Sequence, residues 1–271
     1  MELKDLLKSD RAPLFVIAGP CVIESADLCM QIAAHVKKVC DDLGLAYIFK
    51  ASFDKANRSS NSSFRGPGLP EGLVVLERVK REIGVPVLTD VHESAHPAIA
   101  AKVVDIVQVP AFLARQTDLL IACGQSGAAV NVKKGQFMSP NEMGNAVEKV
   151  RSTGNEKIML TERGTFFGYN RLVNDFTGIP IMKSFGCPVI FDITHSTQRP
   201  AGLGNQSGGN PQYSPMLARA AVAAGIDGLF LECHPDPRNA KSDAATMLNL
   251  TDVKPLLTAC KQIAELRKGW S

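Results

Sequence analysis

The stretch Leu14-Phe15-Val16-Ile17-Ala18-Gly19-Pro20-Cys21 decides how this chain is read. It is an apolar, strand-forming run, stopped by glycine and proline, that leaves a thiol at its end. A doubly wound sheet that holds a dinucleotide presents a G-x-G-x-x-G turn after its first strand, and Ala18-Gly19-Pro20-Cys21 is not that turn. Seven more such runs follow: Ala46–Lys50, Val85–Asp90, Ile106–Gln108, Ala128–Lys133, Ile158–Arg163, Val189–His195 and Leu229–Glu232. They end in an amine, a carboxylate, an amide, a second amine, a guanidinium, an imidazole and a second carboxylate. Reactive side chains at the C-terminal ends of eight successive strands predict an α/β fold, a single-domain (β/α)8 TIM barrel with its active site on that face.

Amphipathic segments with helix punctuation lie between the runs. Ala26 to Asp42 places Leu28, Ile32, Ala33, Val36 and Val39 at helical spacing, and Gly44 stops it. Ser139-Pro140-Asn141-Glu142 is a capping box with proline at the first helical position, opening a helix towards Val150. Further helices are expected from Ser214-Pro215 through Ala223 and from Thr251 to Leu266. Alternation of this kind means right-handed crossovers and a parallel sheet. Gly202-x-Gly204 is a near miss to the dinucleotide fingerprint, but it comes after the seventh run and opens no evident helix. Two connections are long, Lys50 to Pro70 and Ser196 to Pro211. The second, rich in glycine, reads as a lid over the catalytic face.

The 271 residues match one barrel of about 250 residues, so a single catalytic domain over 1–271 is expected. Hydrophobic residues at 45% and charged residues at 21% are those of an ordinary soluble globular protein. The net charge of +3, with no block of five or more like charges, argues against a nucleic-acid partner. No signal-peptide core is evident near the start, and no apolar run is long enough for a bilayer, so no membrane partner is expected. The seven cysteines form an odd, scattered set without C-x-x-C, which points to a reducing cytoplasmic location and not to a disulfide scaffold.

Cys21, His195, Glu232 and Asp243 are the candidate metal ligands. A thiolate, an imidazole and two carboxylates suit one divalent transition-metal ion, Fe, Zn, Mn or Co. In a closed barrel the first, seventh and eighth strands are neighbours, which would bring three of the four together. Each also has an ordinary structural role open to it: Cys21 as packing, His195 as a hydrogen-bonded barrel histidine, Asp243 as a helix cap. Glu232 follows Leu229-Phe230-Leu231, where an unpaired carboxylate would be costly, so it needs a partner. Cys233 should face the opposite side from Glu232, and His234 shares its side one step further out; neither is taken as a ligand.

Lys50, Lys55, Arg58, Arg115, Lys133 and Arg163 place cations at or just beyond strand ends in a nearly neutral protein. A barrel mouth shields such groups, and an anion is their natural partner. Arg163 suits a bidentate clamp and Lys133 a point charge. Lys133 and Lys134 alternate in direction, and Lys133, in phase with Asn131, is assigned to the mouth. Asp90 and Gln108 end the third and fourth runs, where they can orient hydroxyls or amines; Asp90 also suits a helix cap.

Several segments carry a resemblance: Ala18-Gly19-Pro20-Cys21, the eleven residues Lys50–Ser60, Phe112-Leu113-Ala114-Arg115-Gln116-Thr117-Asp118, Asn131-Val132-Lys133-Lys134 and Glu232-x-His234-Pro235. Together they resemble the 3-deoxy-D-manno-octulosonate 8-phosphate synthase family over essentially the whole chain. The resemblance implies condensation of phosphoenolpyruvate with arabinose 5-phosphate, release of phosphate, and a homotetramer. It implies that Lys133 and Arg163 hold the phosphoenolpyruvate phosphate, that Lys50, Lys55 and Gln108 address its carboxylate and reacting end, and that Asn57, Arg58 and Ser59 bind the pentose phosphate. Arg115 would come from a neighbouring subunit. Lys50, Lys55, Asp90, His195 and Asp243 form the implied catalytic set. Cysteine at 21, where a metal-independent branch has asparagine, and Ser242-Asp243-Ala244-Ala245, where that branch has Cys-Asp-Gly-Pro, resemble the metal-dependent branch. Cys233 departs from the pattern.

Two rival readings stand beside this one. The related aromatic-pathway synthase joins phosphoenolpyruvate to erythrose 4-phosphate, but its sugar-phosphate segment resembles Lys-Pro-Arg-Thr, where this chain has Lys55-Ala56-Asn57-Arg58-Ser59-Ser60. A non-catalytic barrel that binds a sugar phosphate would have no need to keep all of Cys21, His195, Glu232 and Asp243.

Overall fold

Period-two runs, buried on both faces, build the centre of the molecule. The computed structural model describes residues 3–8, 13–57, 63–166, 171–199 and 208–270. Its barrel strands are β1 (Phe15–Gly19), β2 (Ala46–Lys50), β3 (Val87–Asp90), β4 (Ile106–Val109), β5 (Ala129–Lys133), β6 (Ile158–Glu162), β7 (Val189–Asp192) and β8 (Gly228–His234). They are hydrogen-bonded in sequence order, all parallel, and β8 pairs back to β1 from Phe15↔Gly228 to Gly19↔Glu232. The expected closed (β/α)8 barrel is therefore the fold.

Strand alternation sorts the side chains into two cores. Phe15, Ile17, Ile48, Leu88, Ile106, Ala129, Met159, Ile190 and Phe230 point inward and fill the lower barrel, and Leu6 of the short helix Leu3–Leu6 packs on them as a plug. The residues between them point outward. Val16, Phe49, Val107, Val130, Leu160, Phe191 and Leu231 meet an apolar helix layer that includes Ile32, Val36, Leu76, Leu120, Val147, Val222 and Leu257.

The helices are α1 (Ala26–Leu43), α2 (Leu69–Ile83), α3 (His96–Ala100), α4 (Thr117–Gln125), α5 (Met143–Arg151), α6 (Gly178–Lys183), α7 (Ser214–Ala224) and α8 (Leu250–Arg267). Local chemistry fixes their ends as the sequence indicates. The Ser25 side chain accepts from Leu28 N at the start of α1, and Gly44 closes that helix at φ 64°. The Ser139–Glu142 capping box is present, but its first turn is a 3₁₀ helix, Pro140–Glu142, that leads into α5. Two small antiparallel hairpins decorate the catalytic end, Thr165–Phe166 with Leu172–Val173 and Gln198–Arg199 with Gly208–Gly209. A short strand, Leu248–Asn249, extends the sheet beside the end of β8. Among the described residues, no helix is long and apolar enough to cross a membrane.

Candidate active site

Inward-facing positions one step above the apolar layer are polar and buried, so each must find a partner. Asp90 accepts from Gln108 Nε2 at 2.6 Å and from the Ser52 hydroxyl. Gln108 Oε1 accepts from Asn131 Nδ2 at 2.8 Å, and Asn131 Oδ1 accepts from Thr161 Oγ1 at 2.8 Å. This belt crosses β3, β4, β5 and β6 and fixes the orientation of every amide in it. Asp90 is thus a hydrogen-bonded hub, and the helix-cap alternative does not hold.

The cations sit in this layer. Lys50, 1% exposed, donates to Glu232 Oε1 at 2.8 Å and to the Cys21 carbonyl at 3.0 Å, with Asp90 Oδ2 at 3.4 Å. Burial opposes its charge, but Glu232 and Asp90 hold its pKa above the ordinary lysine value. Lys133 donates to Asp192 Oδ2 at 2.6 Å and lies 3.7 Å from the Phe230 ring centroid. Lys134 faces outward as expected: it donates to the Met138 carbonyl at 3.2 Å, with Glu162 Oε1 at 3.4 Å. Burial alone would raise both carboxylates of the cup, but neighbouring cations outweigh it and hold both well below the usual range, Asp90 through Lys50, Lys55 and Lys133, Asp192 through His195 and Lys133.

Arg163 is buried just beyond β6. Its Nη2 donates to Gln198 Oε1 at 2.6 Å and to the His195 carbonyl at 3.3 Å, while its Nη1 is buried without a hydrogen-bond partner among the described residues. Burial pulls the guanidinium below its ordinary value despite nearby Asp192 and Asp243. An anion on Nη1 would satisfy the free arm and the charge together.

Cys21, His195, Glu232 and Asp243 converge at the mouth, their ligand atoms all within 4.8 Å of one another. The Cys21 thiol donates to Asp243 Oδ2 at 2.9 Å, with Ser242 Oγ at 3.1 Å. His195 Nδ1 lies 2.7 Å from Asp192 Oδ2, which turns Nε2 towards Glu232 Oε2 at 3.5 Å. Burial, then the carboxylates of Asp243 and Glu232, push the Cys21 thiol well above its usual value. Burial would raise Asp243 as well, but His195 and Lys55 hold it well below the carboxylate range.

These residues fit a divalent transition ion on two observations. Glu232 Oε2 is a fully buried carboxylate oxygen with no hydrogen-bond partner among the described residues. The donors are also those such ions take, and a cation is what would let the thiol lose its proton between two carboxylates.

The placement of predicted residues is mostly as expected, with corrections. His195 does not end a strand: β7 stops at Asp192, and His195 opens a 3₁₀ turn, His195–Thr197. Reading Val189–His195 as one strand concealed Asp192, which is in phase with inward Ile190 and orients His195 while pairing Lys133. Sequence reasoning gives no role to Ser52, Thr161 or Gln198 and notes Asn131 only as in phase with Lys133; two of the four, Asn131 and Thr161, lie inside runs, where a single amide or hydroxyl carries little sequence signal. Cys233 faces the outer core and His234 hydrogen-bonds through Nδ1 to Asp236 N, so neither joins the quartet. Lys55 stands close enough to Cys21, Glu232 and Asp90 for their charges to raise its pKa against the cost of burial. Asn57 is exposed. Arg115 is exposed on a turn before α4, and its carbonyl accepts from Lys149. Arg58, Ser59 and the glycines Gly202 and Gly204 of the expected lid lie outside the described residues.

The model of the DAHP synthetase I family matches residues 2–268. Proteins named 2-dehydro-3-deoxyphosphooctonate aldolase are similar over nearly their whole length. That of Koribacter versatilis is 56% identical over 255 residues, 93% of this chain and 91% of its own. That of a Cyanothece species is 54% identical over 253 residues, 93% of each chain, and that of Protochlamydia amoebophila is 50% identical over 264 residues, 97% and 96%. With its barrel closed, its mouth polar and its whole length matched, the chain belongs to the DAHP synthetase I family.

Proposed function

We propose that this chain condenses phosphoenolpyruvate with D-arabinose 5-phosphate and water, giving 3-deoxy-D-manno-octulosonate 8-phosphate and inorganic phosphate, the step that supplies the acid sugar of lipopolysaccharide. The relatives' shared name, 2-dehydro-3-deoxyphosphooctonate aldolase, supports the substrate class. The observation that carries the chemistry is the convergence of Cys21, His195, Glu232 and Asp243 beside buried Lys50, Lys133 and Arg163. The active protein is a cytoplasmic homotetramer whose chains each form one catalytic domain over residues 1–271.

Two anions that repel in water have to be held in register, and a cationic cup of low dielectric does this. Arg163, through its buried Nη1, and Lys133 take the phosphate of phosphoenolpyruvate. Lys50 and Lys55 face its carboxylate, and Gln108, its amide fixed by Asp90 and Asn131, faces the reacting end. Asn57, Arg58 and Ser59 hold the pentose phosphate, joined by Arg115 from a neighbouring copy. The methylene carbon of phosphoenolpyruvate then bonds to the aldehyde carbon, water adds to the enol-ether carbon, and the hemiketal phosphate loses phosphate. Asp192 keeps His195 oriented throughout. A divalent ion such as Fe, Zn, Mn or Co, held by Cys21, His195, Glu232 and Asp243, supplies Lewis acidity for orienting the aldehyde or polarising water.

Phosphate release from phosphoenolpyruvate, followed in metal-replete protein with arabinose 5-phosphate, erythrose 4-phosphate or no sugar, tests the reaction. Release is expected with arabinose 5-phosphate. Preference for erythrose 4-phosphate would assign the aromatic-pathway reaction, and no release with any sugar would leave a binding protein.

A further inference from the structure

Gln198 stands between the two halves of the mouth. It begins the hairpin strand Gln198–Arg199, and its amide bridges the cationic cup to the candidate metal ligands: Oε1 accepts from Arg163 Nη2 at 2.6 Å, and Nε2 donates to Asp243 Oδ1 at 2.8 Å. A guanidinium can only donate and a carboxylate can only accept, so the amide has one permitted orientation. Arg163 Nη2 also donates to the carbonyl of His195. One arm of the arginine thus reaches the candidate ligand His195 directly and Asp243 through Gln198, while the other has no hydrogen-bond partner among the described residues.

Asp243 needs this support. It has φ 49°, the left-handed region that a non-glycine residue occupies at a cost, and such a backbone persists where its surroundings hold it. Gln198 holds Oδ1, which leaves Oδ2 against the Cys21 thiol at 2.9 Å. Groups that hydrogen-bond a metal ligand set both its aim and its affinity.

We propose that Gln198 is a positioning residue that couples anion capture at Arg163 to the seating of a divalent ion on Asp243 and His195, so that each ligand tightens the other. An anion on Nη1 fixes the guanidinium, whose Nη2 then holds Gln198 and the His195 carbonyl. Gln198 in turn holds Asp243 by Oδ1, so that Oδ2, which faces the Cys21 thiol and Ser242, is the oxygen aimed at the ion. Coupling of this kind is reciprocal, so the factor by which phosphate raises metal affinity equals the factor by which metal raises phosphate affinity. The inference rests on the metal-centre reading above.

The test titrates metal-free protein with Co²⁺, following the thiolate charge-transfer band, with and without saturating inorganic phosphate. It compares wild type with Gln198→Met and Gln198→Glu. Gln198 is only half-buried, and Met keeps its length without either hydrogen bond. In wild type, phosphate is expected to raise Co²⁺ affinity several-fold. Gln198→Met should bind Co²⁺ about tenfold more weakly and show no effect of phosphate. Gln198→Glu keeps an acceptor for Arg163 but turns a carboxylate towards Asp243. It should hold phosphate like wild type in the metal-free state, measured calorimetrically, and lose Co²⁺ affinity. A phosphate effect equal in wild type and Gln198→Met would mean that phosphate meets the ion directly and would overturn the coupling. Wild-type Co²⁺ affinity in both variants would overturn the positioning role. No Co²⁺ binding by any of the three proteins would instead overturn the metal-centre reading itself.

Discussion

Lys50 ties the stability of the barrel to the proposed chemistry through its buried ion pairs. Its ammonium lies in the barrel with Glu232 on one side and Asp90 on the other. Truncating one member of a buried pair strands the others, so Lys50→Ala should destabilise the protein by about 3–5 kcal/mol in urea denaturation, besides abolishing turnover. Asp90 gives the matching pH statement. Burial would raise its pKa, but Lys50, Lys55 and Lys133 hold it well below the unfolded value. A carboxylate depressed in this way contributes stability that is present above about pH 4 and lost as pH falls through the folded value. Urea titrations of metal-free wild type and Asp90→Asn should therefore show a stability gap that is widest above about pH 4 and narrows on acidification. A gap that widened as pH fell would contradict the assignment.

Among elements, β1 and β8 carry the closure on which the site depends. Gly19 pairs with Glu232, and a Cβ on Gly19 would lie 2.0 Å from the Lys50 carbonyl oxygen, so the mouth between β1 and β2 admits only glycine there. At the other end of β8, a Cβ on Gly228 would meet the Phe15 ring at 2.6 Å. Gly228→Ala should thus cost about 1–3 kcal/mol by overpacking the lower core, measured as a fall in thermal stability, while the folded fraction keeps its turnover because the polar layer lies above. Elements were the legible part of the sequence. The eight strands, the Gly44 stop and the Ser139–Glu142 box follow from period and capping, which are local. His195 was placed wrongly on a strand because Ile193 and Thr194 continue an apolar, β-branched run. The chain turns after Asp192, whose Oδ1 accepts from Thr194 N and His195 N, an event that composition does not announce.

For the whole molecule, ring closure turns a linear list of strand ends into one site. Cys21 and Asp243 are 222 positions apart and hydrogen-bonded. Barrel topology alone brings Cys21 to His195 and Glu232, and Asp243 joins them only through the family resemblance, whereas the belt from Ser52 to Thr161 and the Gln198 bridge are visible only with side chains in place, since a lone glutamine or threonine has no spacing to betray it. In the proposed reaction, Cys21, His195, Glu232 and Asp243 hold an ion that the condensation requires, next to a cup that holds phosphoenolpyruvate. The most direct test is the rate of phosphate release from phosphoenolpyruvate and arabinose 5-phosphate before chelation, after exhaustive chelation and after addition of Mn²⁺ or Co²⁺. Turnover should vanish with the metal and return with either ion; full turnover in the chelated protein would show that the condensation needs no ion on these four residues.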